Sequence, residues 1–438
     1  MSFIIDKQTL NDLEIPGKKG KRAVQSLFNF TKTKGGAEQL DELFQYPLAS
    51  VKAIKERVEV FEFFHEQQLE FPISVINLDL ADQYLQDTDE RSLLVYKKRS
   101  LAQNLKEFIQ PNSQIQLQIA AIKAVVNIGK ELEVFLDKIA GNAKASSYQD
   151  VYAELMAVRG VIPDYETTNW AQLTDLDRYF RFEKREKLKR LLYLIYSLDV
   201  NITVAEVAKA NRLTFPKVQD DTEPILEIVG LRHPLLSSAV PNDIAATADK
   251  NLIFLTGVNM AGKSTFMKSF GIAIFLAHIG FPVPASKMTF SVFDGLLTTI
   301  NLSDNLSIGH SHFYAEVVRI RKMAEYLQKG KRMVLIVDEL FRGTNVKDAF
   351  DATVAITSAL SKKNDSIFMI STHIIEAGEK LRPLYPSISF ICLSTSLKDG
   401  KPFYNYKIQK GITEDRHGML IVQNEGILDI LNQNQDKI

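Results

Sequence analysis

Residues 257 to 264 read Gly257-Val258-Asn259-Met260-Ala261-Gly262-Lys263-Ser264, a G-x-x-x-x-G-K-[ST] run between the apolar stretch Leu252 to Leu255 and an amphipathic segment from Lys263 towards Ala277. A strand, a glycine-rich turn and a helix in that order constrain this chain more than any other feature, because the chemistry of the turn is specific. Glycines let the backbone curl so that several amide N–H groups face one anion, and the helix that follows adds its positive end. The run therefore predicts a phosphate-binding loop, with ATP and Mg²⁺ as the expected ligands. Gly257, Asn259, Met260, Ala261, Gly262, Lys263, Ser264 and Thr265 are its expected contacts. Lys263 is expected to reach the β and γ phosphates, and Ser264 to hold the metal through its hydroxyl.

A loop of this kind needs a carboxylate for the metal. Met333 to Val337 is an apolar run ending in Asp338-Glu339, which places two acids at the tip of a buried strand. Asp338 is expected in the Mg²⁺ shell and Glu339 beside the attacking water. A further run, Ile367 to Ile370, leads to Ser371-Thr372-His373. Adjacent parallel strands deliver their C-terminal ends to one crevice, so His373 is the expected sensor of the γ phosphate.

Around these motifs the chain changes texture. From about residue 20 to 215 apolar residues recur at helical spacing, as in Val51, Ile54, Val58, Phe61 and Phe64. From about 222 onward short runs rich in Val, Ile and Phe end in turn residues, first at Ile225 to Val229, and read as strands of a largely parallel sheet alternating with helices. The expected organisation is an N-terminal linker over 1–21, basic at Lys18, Lys19, Lys21 and Arg22, a helical domain over 22–220, and an α/β domain over 221–438. Lys plus Arg and Asp plus Glu both number 53, so bulk charge argues for no nucleic-acid partner. One cysteine, Cys392, excludes an internal disulfide framework. No apolar run reaches the roughly 18 to 20 residues of a membrane span, and the N-terminus lacks the basic start of a signal peptide, so a cytoplasmic setting is expected.

The run from Thr256 to Lys268 resembles the Walker loop of the MutS family of DNA mismatch-repair ATPases. Arg232-His233-Pro234, Val240 to Ile244, Gly280 to Ala285, Asp338-Glu339 with Arg342-Gly343-Thr344, and Ser371-Thr372-His373 continue the resemblance in order. It implies an ABC-type P-loop ATPase domain behind a helical core/lever domain, with Val240 and Asn242 near the adenine. Asp304 to Phe313, with Glu316, resembles the family's signature loop, which implies a homodimer in which Ser311 of one subunit completes the other subunit's nucleotide site. Ile308, His310 and His312 depart from the family's serine, arginine and threonine, and Phe341 stands where the family has glycine. Ala239 replaces a phenylalanine that stacks on adenine, which leaves ATP against GTP open.

The helical half resembles the family's core at Ser26 to Ala37, Leu43 to Leu48, Arg57 to Phe64 and Leu191 to Pro216. Because that core-like segment begins near residue 22, no space is expected for mismatch-recognition and connector domains. The leading expectation is an ATP hydrolase whose helical arms hold DNA, with repair or recombination proteins as further partners and no membrane role. Arg178, Arg181, Lys184, Arg185, Lys187, Lys189 and Arg190 form a basic stretch that either faces phosphates or is a solvated face. The alternative is a nucleotide-gated scaffold that binds a protein and no DNA. A small-molecule kinase is disfavoured by the signature-like loop and the paired acids.

Overall fold

The structure, a computed structural model, describes residues 2–17, 22–94, 113–144, 147–163, 169–220, 223–258, 260–300, 312–341, 344–398, 401–413 and 426–432. It shows a helical N-terminal part followed by mixed α/β sheets. Its packing separates two compact units. One comprises Met1–Leu27, Phe44–Val58 and Ala210–Ile438, and the other comprises Phe28–Leu43 and Glu59–Lys209.

The second unit is all helix among the described residues. Two of its helices begin where side chains satisfy free backbone N–H groups. Thr33 Oγ1 accepts from Gly36 N (2.9 Å) at the start of α2 (Lys34–Gln45), and Ser74 caps α4 (Val75–Gln86). α3 (Val51–Gln67) runs from the first unit into the second, and of the stripe read from the sequence Ile54, Val58, Phe61 and Phe64 are buried while Val51 is half-buried. Phe63 and Phe64 meet Tyr148 with ring centroids 5.5 and 4.9 Å apart, an aromatic centre for this core. The long α5 (Ser113–Lys144), α6 (Gln149–Arg159), α7 (Trp170–Arg178) and α8 (Arg185–Ala210) supply the rest of the core.

α8 has the length and apolar composition of a membrane span, contrary to the expectation that no segment reaches one. It is mostly buried, and Asp199 within it accepts hydrogen bonds from Lys32 N (3.1 Å), Thr33 N (2.8 Å) and Thr33 Oγ1 (2.7 Å). It is therefore a core helix. The basic stretch is also partly consumed internally. Arg181 is fully buried against Asp177 (2.8 Å) and Asp87 (2.9 Å), Arg190 pairs with Glu154 (2.6 Å), and Arg185 donates to Leu85 O (2.8 Å).

In the first unit a six-stranded sheet has the order β10-β9-β4-β8-β7-β6. β4 (Leu252–Gly257), β6 (Gly295–Thr299), β7 (Met333–Val337), β8 (Ile367–Ser371) and β9 (Ile388–Lys398) run parallel, and β10 (Lys401–Lys410) closes one edge antiparallel. β4, β7 and β8 are buried throughout, as parallel strands covered on both faces must be. Four strands lie outside this sheet, in the order β1-β5-β2-β3: β1 (Lys217–Gln219), β2 (Ile225–Leu231), β3 (Asn242–Thr247) and β5 (Lys287–Ser291). The expectation that Ile225 to Val229 joins the parallel sheet is thus corrected. Its burial alternates, and it pairs antiparallel with both neighbours.

On the outer edge of β6, Ile4 forms a parallel bridge to Gly295, with Ile4 N donating to Asp294 O (2.7 Å) and Leu296 N to Ile4 O (2.9 Å). A Cβ on Gly295 would stand 2.5 Å from Ile4 O, so glycine permits the approach. A short helix, α1 (Lys7–Asp12), follows with Asp6 as its N-cap. Part of the expected linker is therefore built into the α/β unit.

Candidate functional site

The strand order places β8 between β4 and β7, so three strand ends open on one crevice. From β4 the chain turns through Gly257 and Gly262, both with positive φ, into α9 (Lys263–His278). Met260 also has positive φ (72°) and is 78% exposed, which turns its side chain out of the loop. Lys263 is buried, and its Nζ donates to Gly257 O (2.8 Å) and Val258 O (3.4 Å). Burial lowers its pKa, while the charges of Glu339 and Asp338 act the other way.

The acids at the end of β7 arrive beside this loop. Ser264 Oγ donates to Asp338 Oδ2, and Ser371 Oγ, from the end of β8, donates to Asp338 Oδ1. Asp338 N is held by Thr299 O (2.8 Å) at the end of β6. Glu339 adopts φ 51°, a left-handed conformation that non-glycine residues rarely take, and its N donates to Ser371 Oγ (3.0 Å). A hydroxyl and a carboxylate already in direct contact are a hard oxygen pair of the kind that suits Mg²⁺, which takes few protein ligands and completes its shell with water and phosphate. Among the described residues no cluster of three or more His, Cys, Asp or Glu side chains forms a dedicated metal cage.

A cavity of about 480 Å³ runs from this loop to the second sheet. Its walls include Val258, Met260 through Thr265 and Glu339 at one end, and His233, Ala239, Val240, Asn242 and Tyr406 at the other. Asp338 and His373 are not among its walls, and His373 is exposed just beyond β8. Asn242 faces the cavity but its amide is engaged, donating to Tyr406 O (2.9 Å) and Val240 O (3.2 Å) while Oδ1 accepts from Ile408 N (2.9 Å). His233 is buried, which lowers its pKa.

Tyr406 is a wall that the sequence reading missed. It lies at a register shift between Tyr404 and Ile408, with φ 55°, and keeps 46% of its surface exposed. The aromatic run Phe403-Tyr404-Asn405-Tyr406 is visible in the sequence, but the bulge that turns Tyr406 towards the loop is not. Asn259, Ser311, Arg342 and Gly343, with Asp304 through His310, lie outside the described residues. Phe341 has φ 63° and is 5% exposed, its ring 5.7 Å from that of Phe313. A left-handed residue at this turn gives a physical reason for glycine there in the family it resembles.

Strand ends, loop and acid pair define an α/β domain in which a loop with two positive-φ glycines adjoins a carboxylate. Residues 253–437 match the family model of MutS domain V. Over 250 residues the chain is 30% identical to the DNA mismatch repair protein MutS of Acetivibrio thermocellus, covering 56% of this chain and 28% of that protein. It is 31% identical over 257 residues to that of Fusobacterium nucleatum, covering 57% and 28%. Against that of Anaplasma phagocytophilum it is 31% identical over 228 residues, covering 51% and 27%. The similarity is thus to MutS proteins and, by the family model, to their domain V over residues 253–437, and the chain spans less than a third of the length of these relatives.

Proposed function

We propose that the α/β unit is a P-loop ATPase of the ABC type that binds Mg-ATP between the loop and Tyr406 and hydrolyses it. The contact between Ser264 and Asp338 carries this reading, because it brings the two expected metal ligands together from residues far apart in sequence. Mg²⁺, when bound, would neutralise phosphate charge from Ser264 and Asp338. The amides of Gly257 through Thr265 cradle the phosphates, and Lys263 exchanges its carbonyl partners for the β and γ oxygens. Glu339 takes the proton of the attacking water, and His373, free to turn at the surface, senses the γ phosphate. Val240, Ala239 and Tyr406 enclose the base, with Asn242 holding that wall in place.

In this reading residues 22–220 are the helical core/lever domain and 221–438 the ATPase domain. Two copies join as a homodimer through the segment containing Ser311, each completing the other's site. The helical part holds DNA in the cytoplasm, in repair or recombination, with no membrane role. Steady-state hydrolysis of ATP by wild type and Lys263→Ala tests the enzymatic half. A fall of about 10² to 10³ in rate supports it, as for loss of a charge-stabilising donor, and equal rates refute it.

A second reading, a nucleotide-gated scaffold that binds a protein and no DNA, is favoured by one observation. Arg181, Arg185 and Arg190 already have partners within the protein. Binding to duplex, mismatched and branched DNA that weakens steeply with salt excludes it, since phosphate contacts release counterions.

A further inference from the structure

The carboxylate of Asp12, the last residue of α1, is buried and lies more than three hundred residues from Asp338 in sequence. Its Oδ2 accepts from Thr298 Oγ1 (2.7 Å) and from Ile300 N (2.9 Å). Those two residues flank Thr299, whose carbonyl accepts the N–H of Asp338 at 2.8 Å. Thr298 is pinned from two further directions, its N donating to Thr9 Oγ1 (3.0 Å) and its carbonyl accepting from Arg319 (2.7 Å). Among the described residues β6 pairs with one named strand, β7, and its outer edge carries only the Ile4 bridge at Gly295, at the opposite end of the strand from Thr299. Asp12 supplies a constraint at the Thr299 end, at the residue that fixes the Asp338 backbone.

We propose that Asp12 is a positioning residue for the metal-binding carboxylate, setting the Mg²⁺ affinity of the site through Thr298, Thr299 and Ile300. The proposal rests on the reading of Asp338 as a metal ligand. The Asp338 side chain is oriented by Ser264 and Ser371, and its backbone by Thr299, so loosening Thr299 moves the carboxylate as a whole. Supporting residues of this kind typically change metal affinity about 10- to 100-fold when removed.

The test is titration of the full chain with Mn²⁺ at fixed ATP, read by electron paramagnetic resonance of bound and free ion and needing no turnover. Asp12→Ala is expected to raise the half-saturating Mn²⁺ concentration about tenfold, with nucleotide affinity in EDTA unchanged. Asp12→Asn, which keeps an acceptor of the same size, is expected to restore most of it. Thr298→Val removes one donor to Asp12 and keeps the strand, so it is expected to show a smaller shift in the same direction should Asp12→Ala fail to fold. Arg181→Ala is the control for a merely structural role, since it breaks a buried ion pair of the other compact unit and, among the described residues, Arg181 makes no contact with β6. It is expected to lower Tm and leave the Mn²⁺ midpoint unchanged. An unchanged midpoint in both Asp12→Ala and Thr298→Val, whatever their Tm, overturns the proposal. A wild-type protein whose Mn²⁺ binding is the same with and without ATP overturns the metal-site reading itself, and the proposal with it.

Discussion

Tyr406 lies against Gly262, the last glycine of the loop, so closely that a Cβ on Gly262 would stand 3.2 Å from the tyrosine ring. Gly262 also has φ 97°, a conformation that any side chain would strain. Loop and aromatic wall are therefore fitted to each other. Tyr406→Ala is expected to weaken binding of ATP and GTP about equally, by roughly tenfold, the worth of one base–ring stack. Tyr406→Phe is expected to bind as wild type. Isothermal titration of both nucleotides checks this, and a loss confined to one purine would show that the ring is not the wall.

His278 is buried in the first unit, with Nδ1 2.9 Å from Leu48 O and Nε2 3.5 Å from Phe293 N. A neutral ring that donates from Nδ1 and accepts at Nε2 satisfies both contacts, whereas protonation at Nε2 would remove the acceptor. Burial accordingly lowers the pKa to about 4. The unfolded chain binds this proton near pH 6.5 and the folded one does not, so stability is full above 6.5 and falls as pH drops from there to about 4. The loss amounts to about 3 kcal/mol at most. Urea unfolding at pH 7 and 5 measures it, and His278→Gln should flatten the difference.

Two ion pairs of the basic stretch, those of Arg181 with Asp177 and of Arg190 with Glu154, should differ sharply. Arg181 and Asp177 are both fully buried, and Asp177 also accepts from Tyr84 (2.6 Å) and Leu94 N (2.8 Å). Arg181→Ala leaves that acid without its counter-charge and is expected to cost about 3–5 kcal/mol. Arg190→Ala, at the exposed pair with Glu154, is expected to cost less than about 1 kcal/mol. Thermal or chemical unfolding of the two variants gives the comparison.

Phe341 illustrates how a residue can oppose its own backbone. Its left-handed φ costs about 1–2 kcal/mol relative to glycine, yet the ring is buried against Phe313. Removing a buried phenylalanine costs about 3–5 kcal/mol, so packing outweighs relief. Phe341→Gly is expected to lower stability by about 1–4 kcal/mol, although it introduces the residue usual in the family that this chain resembles.

What the sequence made legible was local. The order of strand, loop and helix over 252–277, the acid pair after Met333–Val337 and the polar end of Ile367–Ser371 all follow from runs of adjacent residues. What stayed hidden depends on partners far along the chain. Asp6, Thr9 and Asp12 read as part of a linker, because nothing near them announces Arg319 or Thr298. Arg181 reads as one cation among seven until Asp177 and Asp87 enclose it. Tyr406 turns towards the loop only through a bulge whose register depends on β9.

The most direct test is to incubate the protein with Mg-ATP, remove free nucleotide by rapid desalting and identify what stays bound. Wild type is predicted to retain ADP, Lys263→Ala to retain nothing, and Glu339→Gln to retain uncleaved ATP with hydrolysis slowed about 10² to 10⁴-fold. Hydrolysis by Glu339→Gln at the wild-type rate, or retention by Lys263→Ala equal to wild type, would contradict the account.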